Sequence, residues 1–178
     1  MDVALEIDPL NAMVVHTAGD IYRWRGETDR AVAMYREAIE LDAGNPLGRQ
    51  SLGMWQCRSG ETEQGLALLR EARAISQNDP LVVGDLGYCL AISGRPDEAR
   101  ALLAELELRS TIEWVSPVAL ARVHVALSDR ESALTQLERA LEERAYRLVE
   151  LPLDDRWDPL RSDPRFQDLL RRIGFPES

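Results

Sequence analysis

Residues 12–45 read AMVVHTAGDIYRWRGETDRAVAMYREAIELDAGN, and this stretch decides the fold because its pattern recurs three more times along the chain. Small or apolar residues return at intervals of 34 without an inserted or deleted residue. The five repeating columns are Gly19, Gly53, Gly87 and Ala121; Gly26, Gly60, Gly94 and Ser128; Ala31, Gly65, Ala99 and Ala133; Tyr35, Leu69, Leu103 and Leu137; and Ala38, Ala72, Leu106 and Ala140. An internal period of this length indicates a stack of similar structural repeats.

Each period predicts two helices joined by a short turn. Residues 13–24 place apolar and small residues at helical spacing and stop before Gly26, which favours a helix end. Residues 29–41 place their apolar side chains largely on one face, as an amphipathic helix does. The small columns have a steric reason, because only Gly, Ala or Ser lets two helix backbones approach closely, while a larger neighbour such as Tyr35 fills the adjacent groove.

This pattern resembles the tetratricopeptide repeat (TPR) family, whose period is also 34 residues. The positions that carry the resemblance in the first repeat are Gly19, Tyr22, Ala31, Tyr35 and Ala38. The four repeats that it covers are residues 12–45, 46–79, 80–113 and 114–147. The resemblance implies an all-α fold, an α-solenoid of stacked antiparallel helix pairs that forms a TPR superhelix with a C-terminal capping helix.

The sequence departs from the family pattern at two kinds of position. The early Trp of the family is replaced by Val15, Arg49, Val83 and Pro117. Pro46 and Pro80 open the next helix instead of closing a repeat, and a first-turn Pro is well tolerated there. In the fourth repeat, Pro117 predicts that the first helix starts late, with Ser116 as its N-cap.

The start of the chain resembles the end of a further repeat. Residues 1–11 place Pro9 where the family has its late Pro, so we expect a second-helix remnant without its first-helix partner. A stacked array needs a polar terminal cap. This start therefore indicates either a piece of a longer protein or a homodimer formed through residues 1–11.

Residues 148–178 are predicted to form a C-terminal cap with a short helix. Asp158 and Asp163 each precede a Pro, which is typical of an N-cap followed by the first helical residue. The run 157–176, WDPLRSDPRFQDLLRRIGFP, resembles a closing segment of bacterial TPR proteins. In that group the array often follows a kinase, a nucleotide cyclase or a DNA-binding domain. This resemblance implies the C-terminal arm of a bacterial regulatory protein involved in signalling.

Composition argues against several classes of protein. The net charge of −10 disfavours nucleic acid as a partner of this domain, because phosphate binding needs an excess of cations. No apolar run reaches the roughly 20 residues of a membrane helix, so no membrane partner is expected. Cys57 and Cys89 form no metal-binding motif and favour a reducing, cytoplasmic location, where both are predicted to be buried fillers and not a redox pair. No P-loop, GxGxxG, HExxH or GxSxG motif occurs, so neither catalysis nor a cofactor or metal is predicted.

The TPR resemblance also implies where a partner binds. Peptides of that family lie along the concave face, which the first helices of the repeats line, and are contacted from positions 2, 5, 9, 12 and 13 of each repeat. The residues expected to bind are His16, Asp20, Arg23 and Trp24; Gln50, Met54 and Arg58; Asp85 and Tyr88; and Arg122. None is Lys, so we expect no carboxylate clamp and no preference for EEVD-like tails. The aromatic and apolar members suit an amphipathic helix or an extended segment with apolar anchors.

Several of these residues also have a purely structural interpretation. His16 and Asp20 lie four apart on one helical face, and a solvated ion pair is favoured over a catalytic dyad because no nucleophile or oxyanion donors accompany them. His124 is interpreted as a packed core histidine. For Trp24 and Tyr88, binding and structural roles are equally supported.

Three functions follow from these patterns, in order of support. The first is a non-catalytic module that binds a partner protein or peptide in its concave groove. The second is a self-assembling structural module that dimerises through its N-terminal edge. The third, with little support, is an enzyme or small-molecule sensor that uses His16 and Asp20.

Overall fold

The computed structural model describes residues 8–174, and all regular secondary structure in that range is helical. The α-helices are α1 Ala12–Trp24, α2 Thr28–Leu41, α3 Pro46–Ser59, α4 Thr62–Ile75, α5 Pro80–Ile92, α6 Pro96–Arg109, α7 Pro117–Ala126, α8 Arg130–Glu142 and α9 Pro164–Ile173. Two 3₁₀ helices, Tyr146–Glu150 and Asp155–Leu160, lie between α8 and α9. The contacts divide the chain after Val82 into an N-terminal lobe and a C-terminal lobe. The predicted all-α class is confirmed.

The predicted second-helix remnant falls largely outside the described residues, because these begin at residue 8. Residues 9 and 10 form a turn, and the side chain of Asn11 caps α1 by accepting hydrogen bonds from the backbone of Met13 and Val14.

The N-terminal lobe consists of helix hairpins. Helix α1 packs on α2, α2 on α3, and α3 on α4. Gly26 and Gly60 occupy the turns within the two hairpins at φ values of 76° and 95°, a left-handed conformation that glycine adopts without strain. The core of this lobe contains the buried Ala31, Val32, Tyr35 and Leu52, against which Tyr22, Ile39, Trp55 and Leu68 pack.

The small columns permit backbone contact between paired helices, as the sequence predicted. A Cβ atom added to Gly53 would lie 2.9 Å from the carbonyl oxygen of Gly65, and one added to Gly65 would lie 2.6 Å from that of Gly53. A Cβ on Gly19 would lie 2.6 Å from the Tyr35 ring. Since these distances are too short for a methyl group, only glycine fits where α3 crosses α4.

In the C-terminal lobe, α6 packs on α7 and α7 packs on α8. Gly84 and Gly87 of α5 lie against α7, where added Cβ atoms would come within 2.7 Å of the Ala119 carbonyl oxygen and 2.8 Å of a Val123 methyl group. Helix α7 begins at Pro117 after Ser116, as predicted, although the Ser116 side chain makes no capping hydrogen bond. Ser128 replaces the turn glycine here and keeps the left-handed conformation, at φ 65°.

The segment after α8 covers the last hairpin. The second 3₁₀ helix packs on α7 and α8, and α9 packs on α8. Trp157, Leu160 and Phe166 are fully buried. The Arg165 guanidinium donates to Glu138 at 2.8 Å and to Glu131 at 2.7 Å, which ties α9 to α8.

One predicted cap in this segment is correct and the other is wrong. Asp163 accepts a hydrogen bond from the Arg165 backbone at the start of α9, and Gly174 ends that helix. Asp158 is not an N-cap, because Pro159 lies inside a 3₁₀ helix that starts earlier and is capped by Asp154.

Candidate functional site

The predicted binding residues of the N-terminal lobe lie on its two first helices, α1 and α3. His16 links these helices, since its Nε2 lies 2.9 Å from the Ser51 hydroxyl. The other ring nitrogen, Nδ1, lies 3.8 Å from an Asp20 carboxylate oxygen. His16 itself is buried, with 8% of its surface exposed.

Asp20 is held by a second partner, Tyr35 of α2. The Tyr35 hydroxyl donates a hydrogen bond of 2.8 Å to Asp20 Oδ1. Burial and the neighbouring Asp20 carboxylate raise the pKa of Tyr35 well above its ordinary value, while Arg23 opposes this shift. Tyr35 therefore remains a neutral donor at physiological pH and orients Asp20.

Asp20, His16 and Ser51 stand in the order acid, base and nucleophile, but the geometry does not support catalysis. The 3.8 Å gap between His16 and Asp20 exceeds a hydrogen bond. Ser51 lies within α3, where backbone N–H groups are used by the helix itself and leave no oxyanion donors. The cluster is therefore a polar bridge between two first helices.

The remaining predicted residues of this lobe differ in accessibility. Trp24 is 39% exposed, and the Arg23 guanidinium lies over its ring at 5.8 Å. Arg58 is exposed, Met54 is half-buried and Gln50 is buried. We call this set the α1–α3 face; its members are His16, Asp20, Arg23, Trp24, Gln50, Met54 and Arg58. It combines charged, aromatic and thioether groups on one pair of packed helices.

The predicted residues of the C-terminal lobe are buried in an ion-pair network. Asp85 of α5 and Arg122 of α7 are each 3% exposed, and Arg122 NH1 lies 3.0 Å from Asp85 Oδ1. The same oxygen accepts a 2.6 Å hydrogen bond from Arg156, which lies 71 residues away in the second 3₁₀ helix. Arg156 Nε also donates to Asp154 Oδ2 at 2.7 Å.

Tyr88, the remaining predicted residue of this lobe, is 8% exposed and lies beneath the same guanidinium. The Arg156 guanidinium carbon lies 5.8 Å from the centre of the Tyr88 ring, within cation–π range. We call these residues the Arg156 cluster; its members are Asp85, Tyr88, Arg122, Asp154 and Arg156. The three predicted binding residues of this lobe thus belong to one cluster with two side chains of the C-terminal segment.

Asp154 and Arg156 of the Arg156 cluster favour each other's ionised form. Burial would raise the pKa of Asp154, but the hydrogen-bonded Arg156 and the nearby Arg122 hold it below its ordinary range. Burial would lower the pKa of Arg156, but Asp154 and Asp85 raise it. Arg122 is the least satisfied member: its burial lowers its pKa, and its Nε makes no hydrogen bond.

Sequence reasoning missed Ser51, Tyr35 as a polar partner, Asp154 and Arg156. Ser51 follows Gln50 directly but is not at one of the family's contact positions. Asp154 and Arg156 lie outside the repeats, so no column points to them.

His124 is packed in the interior, in agreement with its structural interpretation. It is 8% exposed, and its Nδ1 lies 3.2 Å from a carboxylate oxygen of Asp129. A hydrogen bond with Ser132 lowers the pKa of Asp129, and His124 adds to this effect against the smaller opposing influence of burial. Cys57 and Cys89 are also buried.

Two further findings concern residues 8–174. No helix in this range is long and apolar enough to cross a bilayer. The same range contains no group of three or more His, Cys, Asp or Glu side chains placed to hold a metal ion.

Comparison with known proteins agrees with this arrangement of helices. Tetratricopeptide repeat profiles match residues 14–45 and 57–110, so the chain carries TPR repeats. The fold is similar to that of YrrB, described as a TPR protein with an unusual peptide-binding site, at a TM-score of 0.55 and 16% identity over 96% of this chain and 89% of YrrB. It is also similar to PilW, described as a widely conserved type IV pilus biogenesis factor, at a TM-score of 0.59 and 20% identity over 99% of this chain and 84% of PilW. A search of curated protein sequences finds no significant match. The fold of this chain is therefore a TPR α-solenoid. Proteins with this fold generally act as protein-interaction scaffolds.

Proposed function

We propose that this protein is a non-catalytic interaction module that binds a peptide or helix of a partner protein on its α1–α3 face. The observation that carries the proposal is the pairing of α1 with α3 through His16 and Ser51, which brings accessible side chains of two repeats onto neighbouring helices. Trp24 supplies an exposed aromatic anchor, and Met54 supplies a half-buried adaptable one. YrrB, which has a similar fold, is described as having a peptide-binding site, and this is in line with a peptide-binding role for the present protein.

The charges of this face define the partner further. Asp20 and Arg23 lie one helical turn apart, and Arg23 lies over the Trp24 ring, so the face presents both signs of charge together with an aromatic anchor. A partner segment that carries an aromatic or aliphatic side chain near an acidic and a basic residue would complement this arrangement. In line with the sequence resemblance, we further propose that the module is the C-terminal arm of a bacterial regulatory protein in the cytoplasm.

A displayed peptide library tests the proposal. The full chain is immobilised, bound peptides are recovered, and their dissociation constants are measured by calorimetry for the wild type and for Trp24→Ala. We expect Trp24→Ala to weaken binding about tenfold or more, because aromatic anchors carry much of the binding energy at such interfaces.

Trp114→Ala is the matched control. Trp114 is 62% exposed in the C-terminal lobe and does not belong to the α1–α3 face, so its removal should leave the dissociation constants unchanged. Equal weakening by both substitutions, or a library that yields no peptide above background, would refute the proposal.

A second candidate, self-assembly through the N-terminal edge, has one observation in its favour. Leu10 and Met13, at the start of the described residues, are 76% and 49% exposed. Light scattering at high micromolar concentration decides this question, since a monomer there excludes the dimer.

A further inference from the structure

We infer that the α1–α3 face selects its partner by one acidic side chain, whose carboxylate pairs with Arg23. This inference rests on the proposed function, because it concerns the segment that binds the same face. Arg23 is half-buried in the last turn of α1, and its guanidinium carbon lies 5.8 Å from the centre of the Trp24 ring. A partner that places an apolar side chain on Trp24 therefore meets this guanidinium as well.

Arg23 forms no ion pair with a carboxylate among residues 8–174. Other arginines of the N-terminal lobe do form such pairs, since Arg30 lies 2.7 Å from Glu27 and Arg49 lies 2.9 Å from Glu71. A guanidinium presents its N–H donors in a planar fork that matches the two oxygens of a carboxylate. The fork of Arg23 is therefore available to a carboxylate of a partner.

Two features stabilise Arg23 without a carboxylate. The carbonyl groups at the end of a helix favour a cation in the last turn, where Arg23 lies. The Trp24 ring also attracts the guanidinium by a cation–π interaction. The free protein therefore tolerates this charge and holds it beside the aromatic anchor.

The acidic charge of the same face is less available to a partner. Asp20 Oδ1 accepts the 2.8 Å hydrogen bond from Tyr35, and Asp20 Oδ2 lies 3.8 Å from His16 Nδ1. Only 23% of the Asp20 side chain is exposed. A basic residue of the partner therefore gains less from Asp20 than an acidic residue gains from Arg23.

A singly charged carboxylate suits this environment better than a phosphate group. Asp20 lies one helical turn from Arg23, and the whole chain has a net charge of −10, so a doubly charged group would meet more repulsion. The preferred ligand is therefore a peptide with Asp or Glu close to an aromatic or aliphatic side chain.

Charge variants of the bound peptides test this inference. Peptides recovered from the displayed library are synthesised with each acidic residue kept, replaced by its amide or replaced by lysine, and all have amidated C-termini so that no terminal carboxylate contributes. Calorimetry measures their dissociation constants with the full chain. We expect the wild type to bind the acidic version about fivefold more tightly than the amide version, as a partly desolvated ion pair provides.

Variants of Arg23 assign this preference to its charge. Arg23→Gln should bind the acidic and amide versions about equally, and Arg23→Glu should bind the lysine version most tightly. Arg23→Lys keeps the charge and should keep a preference for the acidic version. Arg36→Gln is the matched control, because Arg36 is an exposed arginine of α2 outside the α1–α3 face, and it should retain the wild-type preference.

Three results would overturn the inference while peptides still bind, which leaves the proposed function intact. The recovered peptides could lack acidic residues. The wild type and Arg23→Gln could share the same preference for the acidic version. Arg23→Gln could weaken all three versions equally, which would show that Arg23 only supports Trp24. A library that yields no peptide refutes the proposed function, and this inference falls with it.

Discussion

Residues from the first helices of the repeats have different surroundings in the two lobes. In the N-terminal lobe, Asp20 accepts a hydrogen bond from Tyr35 and keeps 23% of its side chain exposed. In the C-terminal lobe, Asp85 is 5% exposed at its side chain and contacts two guanidinium groups. Part of the difference comes from the segment after α8, since its Arg156 donates a hydrogen bond to Asp85. A repeat position is therefore accessible to a partner only where no other part of the chain covers it.

The largest expected difference between the lobes is the loss of unfolding free energy when a partner of a buried carboxylate, or an accessible carboxylate itself, is removed. Arg156→Ala leaves Asp85 and Asp154 buried with too few cations, and removing one partner of a buried ion pair typically costs about 3–5 kcal/mol. Asp20→Ala removes a half-buried hydrogen bond worth about 1 kcal/mol. Urea unfolding curves give both values, with hydrogen exchange in α1 and α7 assigning each loss to its lobe. Equal costs for the two substitutions would contradict this contrast between the lobes.

The next effect is an acid sensitivity of the C-terminal lobe. The folded pKa of Asp154 lies below its unfolded value of about 3.9, so the ion pair contributes its full stability above that pH and loses it as the pH falls toward the folded value. We expect the protection of α7 amides from hydrogen exchange, relative to their intrinsic exchange rates at the same pH, to fall below about pH 4. The stability lost in acid should be smaller than the stability lost in Arg156→Ala, because protonation of Asp154 leaves the Arg156 guanidinium in place.

Asp154→Asn isolates this contribution. The variant should have a lower free energy of unfolding than the wild type at neutral pH. This free energy should also fall less in the variant than in the wild type when the pH is lowered. Asp129 and Glu138 of the same lobe, whose pKa values are also lowered, remain in the variant, so the difference between the curves belongs to Asp154. Parallel acid curves for the wild type and the variant would show that Asp154 does not carry the effect.

The smallest expected change in stability comes from substitutions in the turns of the hairpins. Ser128 holds a left-handed conformation that Gly60 adopts freely in the N-terminal lobe. Ser128→Gly should therefore stabilise the chain by about 1 kcal/mol, and Gly60→Ala, where no neighbouring atom lies within 4 Å, should destabilise it by a similar amount. Thermal unfolding measures both shifts, and changes of the same sign would contradict the comparison.

The helices were predictable because their signals are local. The columns of small residues, the turn glycines and the Asp163–Pro164 start of α9 each act within a few residues or recur at a fixed interval. The α1–α3 face follows from the positions of its residues within the repeat, and its use as a binding surface remains a prediction.

The contacts that the sequence did not predict join residues that are far apart in the chain. Arg156 meets Asp85 across 71 residues, and no periodicity connects a repeat with a segment that lies outside the repeats. The Asp158–Pro159 pair carries the same local signal as Asp163–Pro164, but the chain already turns at Asp154, so the signal falls inside a helix.

The contact between Gly53 and Gly65 has a consequence for altering this protein. Because these two helices meet through main-chain atoms, their spacing is set without help from the side chains of the α1–α3 face. Substitutions at Met54 or Arg58 of α3 should therefore leave the geometry of the α3–α4 hairpin unchanged. The N-terminal lobe is thus a suitable scaffold on which to engineer new specificity.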